Sequence, residues 1–435
     1  MKKLNTTKIY IIFKKSRKYI KFSFLLIFMI FIFIFIKYKK IKIAIYYTSL
    51  NNGGAQRVTS LLINYLSKTQ IFKIYLFLNN KVENEYKIPY NIKKRYIKVG
   101  INNLIKELII NKIDIIIYQL YNEKEIRILN SLKNIKTIIF IHCSFLTWIY
   151  FDKFNFIKKI YNSYKDSKYI VSLIPFENDF LFEKWGINSI LLNNFITYDY
   201  DNVNPSDLSS KTILMIGRAK DKRKRFELGI EAMKYITKEI PECEMKIISN
   251  SKKKNLLKLI KQLKIEKNVK FVRYTNNPNE YFKNASLNII PSSTESFSLA
   301  LCETKVYGIP NIITGINYIS TAKGGVINIK DDKPESIAKE AIKILKNEKY
   351  RKKLGKEARM SMKYFKNEIT AKKWIEFIIA VYKGPKYYQE LREKRRKILE
   401  NEAISLLEQQ ILLLKKRNVK YNNITINDII QLIKK

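Results

Sequence analysis

Short apolar runs alternate with longer amphipathic stretches along most of this chain, and they do so in two separate series. The first series has strand-like runs at 41–47, 73–78, 95–99, 113–118, 137–141, 169–173 and 189–193, with helical periodicity between most of them. A second series has strands at 212–216, 245–249, 269–272 and 287–290, with helices at 226–237 and 253–264. Alternation of this kind requires a parallel sheet covered by helices on both faces. Between the series, residues 199–211 (DYDNVNPSDLSSK) carry no apolar period and read as a linker. Two doubly wound domains facing a cleft are therefore expected, over 41–198 and 212–384. A basic N-terminal segment, 1–40, precedes them and a basic helical tail, 385–435, follows.

At 435 residues, 46% of them hydrophobic, the chain can fill two cores. Its single histidine, His142, excludes a multi-histidine metal site, and Cys143, Cys243 and Cys302 lack metal-ligand spacing. No metal centre is expected. The excess of 83 Lys+Arg over 38 Asp+Glu gives +45, but it is spread through a chain equally rich in Ile, Asn, Tyr and Phe. No basic recognition helix, finger or aromatic-basic sheet accompanies it, so nucleic acid is not expected as a partner.

Within 1–40, residues 22–36 are apolar except for Ser23 and are flanked by lysines, Lys21 and Lys37 among them. As a helix they span about 22 Å, short of a hydrocarbon core of about 30 Å, and snorkelling lysines with Tyr19 and Tyr38 would supply the difference. A single-pass membrane anchor is expected, with membrane as a partner. Basic flanks on both sides leave the topology weakly determined. The cytosolic face is preferred for the rest of the chain.

The chemistry concentrates in 291–310, PSSTESFSLALCETKVYGIP. A strand ending in small polar residues turns into a helix here, and the free N–H groups of such a helix start stabilise an anion. Glu295 stands at the mouth of the turn. Glu303, about two helical turns further on, has a carboxylate able to accept hydrogen bonds from a ribose diol. The combination suggests a nucleotide-sugar. A second glycine turn, Gly53-Gly54, follows the strand 41–47 and opens a helix, without the GxGxxG pattern of dinucleotide sites. His142 closes the strand 137–141 at the carboxyl edge of the sheet, where ligands of doubly wound folds bind. Arg218 follows the strand 212–216 and Lys224 stands before the next helix, so a planar fork and a point charge could clamp a diphosphate.

These motifs together resemble the retaining glycosyltransferases of family 4, the group 1 glycosyl transferases of GT-B fold. The matching stretches are NNGGAQRV at 51–58, IHCS at 141–144, IGR at 216–218, KRFELGIEAM at 224–233, and PSSTESFSLALCE followed by GIP within 291–310. The resemblance implies that Arg218 and Lys224 neutralise the donor diphosphate, Glu295 contacts the sugar ring and Glu303 holds the ribose. It further implies that backbone amides around Phe297, Ser298 and Leu299 meet the phosphates, that Gly54 approaches the diphosphate from the other domain, and that His142 touches the sugar. Three departures stand out: Ser298 replaces a common glycine, 304–307 lack the usual small residues, and the loop from Arg218 to Lys224 is one residue longer than the commonest form.

The expected activity is transfer of a sugar from a nucleotide-diphosphate sugar to a lipid-linked, polysaccharide or glycan acceptor. Configuration would be retained, and neither a metal nor another cofactor would be required. A nucleotide-sugar epimerase of the same fold and a non-catalytic membrane-bound scaffold are the alternatives. In the tail, Leu391, Ile398, Ile404, Leu407, Ile411 and Leu414 lie near one face, leaving coiled-coil pairing, docking on the body and membrane association open.

Overall fold

The computed structural model describes residues 40–51, 53–151, 154–250, 254–273, 279–395, 400–416 and 425–431. They form two wholly parallel sheets. The first contains β1 (Ile41–Tyr47), β2 (Phe72–Leu78), β3 (Lys93–Tyr96), β4 (Ile115–Tyr118), β5 (Lys136–Phe140), β6 (Tyr169–Ser172) and β7 (Ser189–Leu191), in the order β3-β2-β1-β4-β5-β6-β7. β8 (Thr212–Ile216), β9 (Glu244–Ile248), β10 (Val269–Val272), β11 (Leu287–Ile290), β12 (Asn311–Thr314) and β13 (Val326–Ile329) make the second, in the order β10-β9-β8-β11-β12-β13. Central strands such as TILMI, and IKIAIYY apart from Lys42, are apolar because helices cover both faces. The expected α/β architecture of two doubly wound sheets is present.

In each sheet the strand order reverses between the first strand and its later neighbour, β1/β4 and β8/β11. Loops leaving the carboxyl ends of these strands diverge there and open a crevice, the usual ligand site of such sheets. Gly53-Gly54 follows β1, Gln119 follows β4, Arg218 lies just beyond β8, and the 291–298 loop follows β11. Tight packing holds the second of these positions: a side-chain carbon on Gly229 would sit 2.4 Å from Met215 Sδ, so only glycine lets the helix Phe226–Glu239 lie this close to β8.

The chain returns to the first sheet after it has completed the second. Met362, Phe365, Trp374, Phe377 and Ile378 are buried in the core of the first sheet, and the Trp374 ring meets Phe140 at 4.9 Å. The helix Asn367–Lys383 thus packs with the first domain, whereas reading in sequence order placed it in the second. Asn367 fastens the return, accepting from the Ile196 N–H at 2.9 Å and donating to the Ile196 carbonyl at 3.0 Å. The tail docks on the body. Leu407, Ile411 and Leu414 are buried with the first core, the helix Glu400–Lys416 packs on Pro175–Trp185, and Trp185 Nε1 donates to the Ile429 carbonyl at 3.1 Å.

The expectation of a membrane anchor is corrected. No helix among the described residues is long and apolar enough to cross a membrane. The run 22–36 that prompted the expectation lies outside the described residues.

Candidate functional site

Two helix N-termini face each other between the sheets. The helix Gly54–Ser67 starts at the end of the β1 loop, and the helix Leu299–Val306 starts at the end of the β11 loop; neither has a side-chain cap. A side-chain carbon added to Gly54 would lie 3.8 Å from Leu299 Cδ1, so the glycine keeps open the space between the two starts. Uncapped N–H groups from both sides favour negative charge in that space. Ser298, which opens the second helix, has φ +59, in the left-handed region that favours glycine. Its Oγ and that of Ser292 are buried with no hydrogen-bond partner.

Phe297 contributes backbone only. Its ring is buried against Phe365 at 5.8 Å, while its carbonyl accepts from Thr321 Oγ1 at 2.5 Å. Tyr318 fixes the loop further, its hydroxyl accepting from the Glu295 N–H and donating to the Glu295 carbonyl, each at 3.0 Å. Lys305, buried in the same helix as Glu303, donates to the Thr321 and Lys323 carbonyls at 2.6 Å. Burial lowers its pKa to about 8. Together these bonds clasp the segment after β12 behind the helix start, so the amides of 297–299 sit on a rigid frame.

Arg218, Lys224 and Glu295 stand on the loops that leave β8 and β11. Lys224 Nζ lies 2.5 Å from Glu295 Oε1, with its alkyl stem against Gly217. Arg218 is 69% exposed, with a single 3.3 Å contact to Asp221. Asp221 is mainly committed elsewhere, receiving Arg223 Nε at 3.1 Å and NH2 at 2.7 Å. These bonds hold its carboxyl below the usual range against the opposing effect of burial. Arg225, also left-handed, braces the loops by pairing with Asp332 through both guanidinium nitrogens at 2.8 and 2.9 Å.

Glu303 is tied across the domains. Arg57 NH1 donates to its Oε1 at 3.0 Å and Thr197 Oγ1 donates to the same oxygen at 2.7 Å. Burial raises the Glu303 pKa, and Arg57 counteracts the shift. Other bonds cross the same gap: Ser296 Oγ donates to the His142 carbonyl at 2.7 Å, and the Thr147 and Thr294 hydroxyls are 3.1 Å apart. His142 lies on the first-domain wall. Its Nε2 is 2.7 Å from Gln119 Oε1, which lies 2.9 Å from Thr59 Oγ1, so the Gln119 side chain fixes the orientation of the ring. Burial drives the His142 pKa down to about 3, and the ring is neutral at pH 7. Tyr47 stands edge-on to it at 6.2 Å, close enough to Arg218 for that charge to act on its hydroxyl.

The structure brings together Gly54, Phe297, Ser298, Leu299 and Glu303 at the facing helix starts, and pairs Glu295 with Lys224. Sequence reasoning missed Arg57, Tyr47, Gln119, Thr197 and Tyr318. Arg57 alone left a signal, since it lies three residues after Gly54 and so on the same helix face. Among the described residues no group of three His, Cys, Asp or Glu side chains could hold a metal ion.

Residues 198–361 match the family model described as Glycosyl transferases group 1. An uncharacterized glycosyltransferase of Haemophilus influenzae is 27% identical over 277 residues, 59% of this chain and 76% of that protein. Sucrose-phosphate synthase from Thermosynechococcus elongatus superposes with a TM-score of 0.69 at 14% identity, covering 79% of this chain and all of that one. Anabaena HepE, solved in complex with UDP and glucose, gives 0.65 at 12% identity over 78% of this chain and 99% of that one. The second sheet, its 291–310 loop and these likenesses lead to one assignment: the chain carries a group 1 glycosyl transferase domain and has a GT-B-like fold.

Proposed function

We propose that this protein transfers a sugar from a nucleoside diphosphate sugar to a glycan-type or lipid-linked acceptor hydroxyl, with retention and without a metal. The observation that carries the reading is the facing pair of uncapped helix starts at Gly54 and Leu299, with Glu295 paired to Lys224 on the loop leading into the second start and Glu303 in the second helix paired to Arg57 of the first. The likeness to a HepE structure holding UDP and glucose supports the donor class.

Breaking the bond between sugar C1 and phosphate oxygen leaves negative charge on the diphosphate. Amides of Ser298 and Leu299, the Lys224 ammonium and the Arg218 guanidinium are the groups that stabilise it, most strongly as the charge develops. An incoming diphosphate draws Lys224 away from Glu295, which frees that carboxylate to accept from sugar hydroxyls. Glu303 receives the ribose diol, through lone pairs beyond those used by Arg57 and Thr197 or in place of one of them. The neutral His142 ring hydrogen-bonds a sugar hydroxyl. Retention follows if the acceptor oxygen bonds to C1 on the face from which the diphosphate departs, its proton passing to the leaving phosphate oxygen as the bond from C1 to that oxygen breaks.

The test is donor consumption by the full chain with UDP-, GDP-, ADP- and CMP-linked sugars, with and without a mixture of glycan and lipid-linked acceptors. Turnover of one donor that survives chelator and disappears in Lys224→Ala is the expected result. Interconversion of the donor without any acceptor would instead identify an epimerase.

A further inference from the structure

A cavity of about 560 Å³ opens in the first domain between the helices Glu123–Ser131 and Phe154–Tyr164. Its lining includes Tyr121 and Phe156 beside Lys124, Arg127 and Lys159, with Glu123 the one carboxylate. Glu123 is spoken for, lying 2.5 Å from Arg127 NH2. Neither Lys124 nor Lys159 pairs with a carboxylate among the described residues. The two lysine charges in this concavity are therefore unneutralised.

The cavity adjoins the donor site through one residue. Tyr121, which lines it, accepts through its hydroxyl from the backbone N–H groups of His142 at 3.1 Å and Cys143 at 2.7 Å. It thereby props the histidine loop from behind. The diphosphate of the donor has its own cations, Arg218 and Lys224, on the second domain. An anion drawn to Lys124, Arg127 and Lys159 must come from the other substrate.

Resting on the transferase reading above, we infer that this cavity is the acceptor subsite for an anionic group on a saccharide or polyol chain. The Tyr121 and Phe156 rings contact the carbon skeleton, and the three cations hold a phosphate or carboxylate carried by it. The volume falls within the usual range for a pocket that takes one or two small rings, about 300–1,000 Å³. Charge of this sign also steers a polyanionic acceptor towards His142 and the reacting sugar.

Trp148 supplies the readout, since its ring lies 4.3 Å from Phe156 and 5.7 Å from Tyr121. The full chain is titrated at low salt with glycerol 3-phosphate, with glucuronate and with neutral glucose while its tryptophan fluorescence is followed, Trp148→Phe serving as the blank. Saturation by one or both anions, with no response to glucose, is expected. A response to glycerol 3-phosphate alone assigns a phosphate, and one to glucuronate alone a carboxylate. Changing both lysines, Lys124→Gln with Lys159→Gln, should weaken the response about ten-fold, and both positions are exposed enough to leave the fold intact. An unchanged half-saturation in that variant, or an equal response to glucose, would overturn the inference. Nucleotide-induced thermal shift on the same samples separates the two readings: its absence with anion binding intact counts against the donor site and leaves the cavity standing.

Discussion

Arg57 and Glu303 meet across the two domains with 3.0 Å between NH1 and Oε1, at side-chain exposures of 8% and 4%. A buried pair of this kind is costly to form, but removing one partner strands the other charge. Arg57→Ala should lower unfolding free energy by about 3 kcal/mol, within the range for a broken buried pair. Glu303→Gln, which keeps an acceptor for Arg57 and Thr197 but leaves the buried guanidinium without a counter-ion, should cost a comparable amount. Chemical denaturation of both variants checks this, and a Glu303→Gln variant as stable as the parent would mean that the contact is not an ion pair in solution.

Arg218 and Lys224 are assigned the leaving diphosphate. Arg218→Ala and Lys224→Ala should each lower kcat by around 10² to 10³, the scale for loss of one preorganised donor. Arg218 is exposed and holds only one long contact, so its variant should melt with the parent protein. Steady-state kinetics beside a melting curve separates the catalytic effect from a folding defect. Near-normal turnover in both variants would remove the clamp.

Ser298 occupies φ +59 at the start of the helix Leu299–Val306. Ser298→Gly should stabilise the protein by about 1 kcal/mol through relief of the left-handed conformation. Ser298→Val, branched at the strained position, should destabilise it by more than that. Thermal unfolding of the two variants gives the sign in each case, and a destabilising glycine would show that the buried hydroxyl matters more than the backbone.

Glu177 is buried at the start of the helix Phe145–Tyr150, where it accepts from Ser144 Oγ, and burial raises its pKa to about 8. The folded state then holds a proton that the unfolded chain has released above about pH 4.5, so stability from this group falls as pH rises towards 8. His142, held neutral by burial with a pKa near 3, has the opposite slope below pH 6.5 and none above it. Between pH 6.5 and about 7 the Glu177 contribution leads at about 1.4 kcal/mol per pH unit, and towards pH 8 Lys305, whose pKa burial lowers to about 8, opposes it. Glu177→Gln should flatten the stability profile in that window. An unchanged slope would show that the carboxyl is already ionised in the fold.

Much of this architecture was legible because periodicity is local. The strands at 212–216, 269–272 and 287–290 and the helix starting at 226 follow directly from apolar runs and their spacing, and the glycine and serine turns after β1 and β11 placed the site at the sheet edges. β12 and β13 are set among turns, and no α-helix separates them to mark them as strands. The return of 367–383 to the first core was hidden because an amphipathic helix does not say which core its apolar face joins. Arg57 and Thr197 stand 246 and 106 residues from Glu303, so their convergence exists only in the folded chain. The left-handed backbone at Ser298 explains why that position commonly holds glycine.

The central claim is that the space between Gly54 and Leu299 receives a nucleoside diphosphate, and ligand-induced thermal stabilisation tests it most directly. The full chain, Lys224→Ala and Glu303→Ala are melted with UDP, GDP, ADP and CMP, each variant compared with its own ligand-free melt. Ligand at a hundred times its dissociation constant adds about 2.7 kcal/mol to the folded state, a shift of several degrees. One nucleoside diphosphate should stabilise the parent protein selectively, with the shift reduced in Lys224→Ala and lost in Glu303→Ala. A well-folded parent that no nucleotide shifts, or a shift that both variants retain in full, would contradict the assignment.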